Sequence, residues 1–159
     1  MRIIIGVADM KVSNQAEAEL ITYSLGSCVG VVVYDPVVQV GGLLHFMLPE
    51  SQIDPEKARR NPWMFADTGI PFLFKEAYKF GADKGRMIVK VAGGSQIMDD
   101  RGFFNIGKRN YAAMRKIFWR NNVLIQAEDV GGMTNRTIRL ELSSGRVWLK
   151  TSGEGEREL

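Results

Sequence analysis

Two apolar, β-branched runs, CVGVVVYD (residues 28–35) and QVGGLLHFML (residues 39–48), flank the turn-initiating pair Asp35-Pro36 and constrain the fold more than any other feature. Read together they predict a β-hairpin. Further strand-like runs occur at MRIIIGVADM, LITYS, RMIVKVAGG, VLIQAEDVGG, RTIRLELS and RVWLKTS, the last two joined by a tight Ser143-Ser144-Gly145 turn. Helical spacing is clear only over residues 64–81, with Leu73, Ala77 and Phe80 on one stripe and Pro71 suited to the first turn of the helix's main part, and over 105–122, with Asn105 as N-cap. With about eight strands crowded at both ends, the expected class is α+β: mixed or antiparallel sheets with helices packed on one side. The 159 residues fit a single domain.

Two segments fall outside these elements. PESQIDPEKARRNPW, fifteen residues with three prolines, reads as a long polar loop; with Trp63 and Phe65 near its end it is a candidate lid or clamp. The tail, residues 152–159, is expected to fray.

Composition removes several function classes. No apolar run approaches the roughly 18 residues of a membrane helix, and the N-terminus lacks the pattern of a secretory signal, so the expected location is cytoplasmic without membrane insertion. The net charge of +3 arises from dispersed basic residues, which gives nucleic-acid binding little support. Arg109, Lys116 and Arg120 form a helical stripe that reads as a solvated face. The pairs Gly93-Gly94 and Gly131-Gly132 lack the spacing of phosphate-binding loops and read as tight turns. Asp99-Asp100 and Glu128-Asp129, beside a single histidine, do not read as a metal site.

Cys28 and His45 are the only cysteine and the only histidine. A turn centred between Pro36 and Val37 puts them directly opposite each other, with Gly30 opposite Leu43 and Val32 opposite Gly41, and Cβ atoms of the pair roughly 4.5–5.5 Å apart. A loop longer by one residue would instead oppose Phe46 to Cys28 and turn His45 to the other face. If the pair meets, an imidazolium would favour the thiolate, giving an ion-paired nucleophile. The LGSC turn would then aim the backbone N–H groups of Ser27 and Cys28 at an oxyanion. Candidates to orient the base are Thr22, Tyr23, Ser24, Ser27 and Asp35, and the sequence alone does not select among them; Asp35 is too far along the hairpin. The competing reading is a pair of inert residues in a buried sheet, and a redox-sensing thiol is a third.

The segments LGSCVGVVVYDP, GGLLHFMLPES, FADTGIPFLF, GADKGRMIVKVAGGSQIM, NIGKRNYAAMRKIF and AEDVGGMTNRTIRLELSSGRVWLK occur in an order that resembles the CheD family, the chemoreceptor glutamine deamidases of bacterial and archaeal chemotaxis. The resemblance runs from about Ile3 to Thr151. It implies a cysteine hydrolase with Cys28 as nucleophile, His45 as general base and acid and Thr22 as the orienting residue, on a fold similar to the catalytic domain of cytotoxic necrotising factor. It implies deamidation of receptor glutamines through a thioester, no metal or organic cofactor, methyl-accepting chemotaxis receptors as substrates, and a CheC-type phosphatase as a further partner. A docking module for that phosphatase is the alternative function. Ser95 and Asn135 depart from the family pattern, in which GGA and GGxxGR are common.

Overall fold

The computed structural model describes residues 1–96 and 105–159. Strands β4 (Val29–Asp35) and β5 (Val40–Phe46) are buried along their whole length. Their apolar runs are uninterrupted because both faces are covered. On one face Val29, Val31, Val33, Leu44 and Phe46 pack against helices α2 (Ala66–Lys79) and α3 (Ile106–Arg120), through Ile70, Leu73, Ala77, Met114 and Phe118. On the other, Val32, Tyr34 and Leu43 meet Leu20, Leu25, Ile138, Leu140 and Leu149 of a second sheet. Each such fully buried Val or Leu contributes roughly 1.5–3 kcal/mol.

The sheet containing the hairpin has the order β2-β5-β4-β6-β7, with β2 (Asp9–Ser13), β6 (Ile88–Gly93) and β7 (Ala127–Val130); only the β6–β7 pair is parallel. The opposing sheet has the order β1-β3-β8-β9-β10, from β1 (Arg2–Ile4), β3 (Glu19–Leu25), β8 (Arg136–Glu141), β9 (Val147–Thr151) and β10 (Glu156–Glu158). Only its β1–β3 pair is parallel. The result is two mixed sheets face to face, with α2 and α3 on one outer side, as the α+β expectation required.

Several boundaries differ from the expected ones. MRIIIGVADM is two strands in different sheets, broken where Ala8 takes a left-handed φ of 58°. The chain crosses between layers there, and the polar-looking Lys11–Ser13 continues β2. Pro71 lies inside α2 rather than in its first turn. Asn105 holds the N-cap position of α3 in a left-handed conformation, without a capping bond from its side chain.

The stretch read as a long loop is ordered by two short 3-10 turns and by α1 (Pro55–Arg60), capped by the Asp54 side chain accepting from Lys57 N–H. Phe65 is fully buried and Trp63 packs against the helix-side core. The tail does not fray: β10 pairs with β9, Leu159 N–H donates to the Val147 carbonyl, and Lys90 donates to the Leu159 carbonyl.

Candidate active site

The hairpin register is the first determinant of the site. β4 and β5 pair Asp35 with Val40, which makes a four-residue turn with Gln39 at φ 52°. The turn is therefore centred one residue later than expected, and the residue opposite His45 is Gly30, not Cys28; Val32 faces Leu43 and Tyr34 faces Gly41. A displacement of two residues preserves the faces. His45 thus still points between the sheets, and Cys28, just before β4, takes the diagonal position on that side, packed against the inter-sheet core. Positions so related lie roughly 7–8 Å apart at Cα, within side-chain reach.

β3 supplies the third group from the opposite sheet. Thr22 and His45 are both fully buried, and Thr22 Oγ1 lies 2.7 Å from His45 Nδ1. The same hydroxyl donates to the Ile5 carbonyl at 2.7 Å. A carbonyl only accepts, so the hydroxyl hydrogen is committed to Ile5 and the oxygen accepts from His45 Nδ1–H. That fixes the tautomer: Nε2 carries the lone pair, and it is buried without a hydrogen-bond partner.

The electrostatics differ from the expected ion pair. Burial lowers the His45 pKa to about 4. It also pushes the half-buried Cys28 thiol up to about 11, the residue's own backbone N–H offsetting only part of the effect. No bond joins the sulfur to Nε2. Burial thus disfavours the charged form of both groups, the imidazolium and the thiolate.

The turn carrying Cys28 is held by three successive carbonyls. Gly26 O accepts from Ser95 N–H at 2.8 Å and Cys28 O from Gly94 N–H at 2.9 Å. Ser27 O accepts from Asn110 Nδ2 at 2.9 Å. The N–H groups of Ser27 and Cys28 donate to no other residue among the described ones. Gly93, at φ 119°, passes so close to the Cys28 carbonyl that a Cβ there would overlap it. Behind it, Arg136 donates to Asp129 at 2.6 Å, to the Ser95 hydroxyl at 2.9 Å and to the carbonyls of Gly93 and Gly131. The Ser95 hydroxyl is 2.6 Å from the Thr134 carbonyl. All four residues of the two glycine pairs take positive φ, Gly93 as the last residue of β6.

The remaining candidates lie elsewhere. Asp35 caps the far hairpin turn, accepting from Val37 and Asp83 N–H and pairing with Arg86 at 2.9 Å. Tyr23 and Ser24 are exposed. Glu128 accepts from the Tyr111 hydroxyl, Asp129 pairs with Arg136 and Arg157, and Asp99-Asp100 lie outside the described residues. Among the described residues, no group of three or more His, Cys, Asp or Glu side chains is placed to hold a metal ion, and no helix is long and apolar enough to cross a membrane.

Asn110 and Arg136 were not singled out from the sequence. For Asn110 a signal existed: Gly107, Asn110, Met114 and Phe118 form the buried stripe of α3, so an amide stands where the helix presents its apolar face.

A family model described as "CheD chemotactic sensory transduction" matches residues 47–151. The chain is 56% identical over 157 residues to "Probable chemoreceptor glutamine deamidase CheD 1" of Syntrophus aciditrophicus, covering 99% of this chain and 98% of the relative. The chain belongs to the CheD family. A second CheD relative, "Probable chemoreceptor glutamine deamidase CheD" of Solibacter usitatus, is 51% identical over 158 residues, 99% of this chain and 93% of its own. A third, "Probable chemoreceptor glutamine deamidase CheD 2" of Anaeromyxobacter dehalogenans, is 45% identical over 96% of both. The CheD match to residues 47–151 begins just after His45, whereas the first two relatives align over nearly the full chain.

Proposed function

We propose that this chain is a chemoreceptor glutamine deamidase in which Cys28 is the nucleophile, His45 the general base and acid, and Thr22 the residue that holds the base. The observation that carries this reading is the fixed tautomer: Thr22 takes the Nδ1 hydrogen of His45 and leaves a buried, unpartnered Nε2 on the same side of the sheet as the free thiol. Its substrate class follows from the CheD relatives, whose names state chemoreceptor glutamine deamidation.

The chemistry balances with groups of the chain alone. As the Cys28 sulfur attacks the side-chain carbonyl carbon of a receptor glutamine, its proton passes to His45 Nε2. The carbonyl oxygen becomes an oxyanion that the N–H groups of Ser27 and Cys28 would meet. The imidazolium then protonates the departing nitrogen, ammonia leaves, and a thioester remains. His45, neutral again, takes a proton from water, the hydroxyl adds to the thioester, and the sulfur leaves with that proton, releasing glutamate. The proposed setting is the cytoplasm, where the receptors present their signalling helices.

The test is ammonia release and conversion of glutamine to glutamate on purified receptor. Cys28→Ala and His45→Ala are expected to abolish both, and turnover by Cys28→Ala would overturn the reading. The same Cys28→Ala protein tests the docking alternative, since binding of a CheC-type phosphatase is expected to survive the loss of the sulfur.

A further inference from the structure

Asn110, in the second turn of α3, is fully buried although its side chain is a polar amide. Its Nδ2 donates to two carbonyls, Ser27 O and Met47 O, each at 2.9 Å. One belongs to the residue before the proposed nucleophile, the other lies two residues after the proposed base. The Oδ1 atom of the same amide is buried with no partner. A buried acceptor left unsatisfied costs stability, so the packing of α3 alone does not account for an amide at this position.

The peptide between Ser27 and Cys28 is trans and planar, so its carbonyl and its N–H point in opposite directions. Whatever holds the Ser27 carbonyl therefore also aims the Cys28 N–H. The neighbouring plane is set the same way, since Ser95 N–H holds the Gly26 carbonyl and thereby directs the Ser27 N–H. Among the described residues that hold these planes, only Asn110 does so with its side chain, and it also ties the turn to the strand end that carries His45.

Resting on the deamidase reading above, we infer that Asn110 is a positioning residue for the reaction: by holding the Ser27 and Met47 carbonyls it aims the Cys28 N–H at the oxyanion and fixes the nucleophile turn against the strand end of the base. It acts through the backbone and does not touch the substrate.

The experiment separates chemistry that forms an oxyanion from chemistry that does not. Deamidation and inhibition by a glutamine-side-chain aldehyde both place a negative or hydrogen-bonded oxygen in the site; alkylation of Cys28 by iodoacetamide does not. In Asn110→Ala, counted per alkylatable thiol, kcat is expected to fall about 10- to 100-fold with KM and the alkylation rate within about threefold of the parent, and aldehyde affinity to fall in parallel with kcat. Asn110→Ser, which keeps one donor and is the variant to use should the alanine protein not fold, is expected to lie between the two. An unchanged kcat per thiol overturns the inference. So does a fall in alkylation that matches the fall in kcat, because Asn110 would then only be holding the sulfur or the fold. A parent protein that releases no ammonia from receptor glutamines would remove the deamidase reading itself, before any variant is compared.

Discussion

Thr22 Oγ1 stands 2.7 Å from His45 Nδ1 across the gap between two sheets, and spends its own hydrogen on the Ile5 carbonyl. The consequence is a one-directional chain of donation, from imidazole to hydroxyl to backbone, that leaves Nε2 as the only basic nitrogen. Thr22→Val keeps the shape and removes the acceptor, so Nδ1–H would be buried unpaired and the alternative tautomer favoured. Its kcat for deamidation is expected to drop by a share of the roughly 10²–10⁴-fold that a general base supplies, whereas Thr22→Ser retains most of it. Equal activities for the valine and serine variants would contradict the tautomer argument.

The neutral thiol and imidazole make a pH prediction opposite to that of an ion-paired thiolate. Catalysis by the neutral pair requires His45 deprotonated and Cys28 protonated, so kcat/KM is expected to be level through neutral pH, with an acid limb near pH 4 and an alkaline limb near pH 11. Alkylation of Cys28, which needs the thiolate, should keep rising through pH 9. A plateau of alkylation already at neutral pH, lost in His45→Ala, would restore the ion pair.

The same burial makes His45 a stability switch. Its folded pKa of about 4 lies below the usual value of 6.5, so below pH 6.5 the unfolded chain takes up the proton first. The stabilisation is full above pH 6.5 and is lost as pH falls toward 4. Denaturant midpoints for the parent should decline across that window more steeply than for His45→Gln, which has nothing to titrate.

Gly93 is required by the nucleophile turn rather than by its strand. In Gly93→Ala the new methyl would overlap the Cys28 carbonyl at a φ of 119°, a conformation costing an L-residue about 1–3 kcal/mol. Thermal unfolding is expected at lower temperature, and per-thiol kcat to fall as well because the displaced atom belongs to the nucleophile itself. A destabilised variant with parental kcat per thiol would place the strain elsewhere.

At the far end of the hairpin, Asp35 is buried, and although burial alone would raise its carboxyl, the Arg86 side chain with Asp83 and Val37 N–H holds it below the usual carboxylate range. Asp35→Asn is expected to cost about 1–3 kcal/mol at neutral pH. The difference from the parent should shrink on acidification below the ordinary carboxylate pKa, since a depressed carboxyl stabilises only while ionised. A difference that stays constant into acid would mean the turn does not depend on the charge.

Much of the architecture was legible as pattern. The unbroken apolar runs of β4 and β5, the helical stripe of α2 and the turn chemistry of Gly145 depend on neighbours close in the chain, and local sequence encodes those directly. The single Cys28 and single His45 fixed which residues could serve as a thiol and an imidazole, and an even register shift left His45 on the same face although the turn was centred one residue later than expected. The tertiary structure decided what reaches them. Thr22 comes from the opposite sheet and Asn110 from a helix, contacts no spacing rule connects to residues 23 and 83 positions away. Whether the pair is charged was likewise undecided by composition, because a pKa depends on how much water the fold removes. Burial between the two sheets pushes the imidazole down to about 4 and the thiol up to about 11.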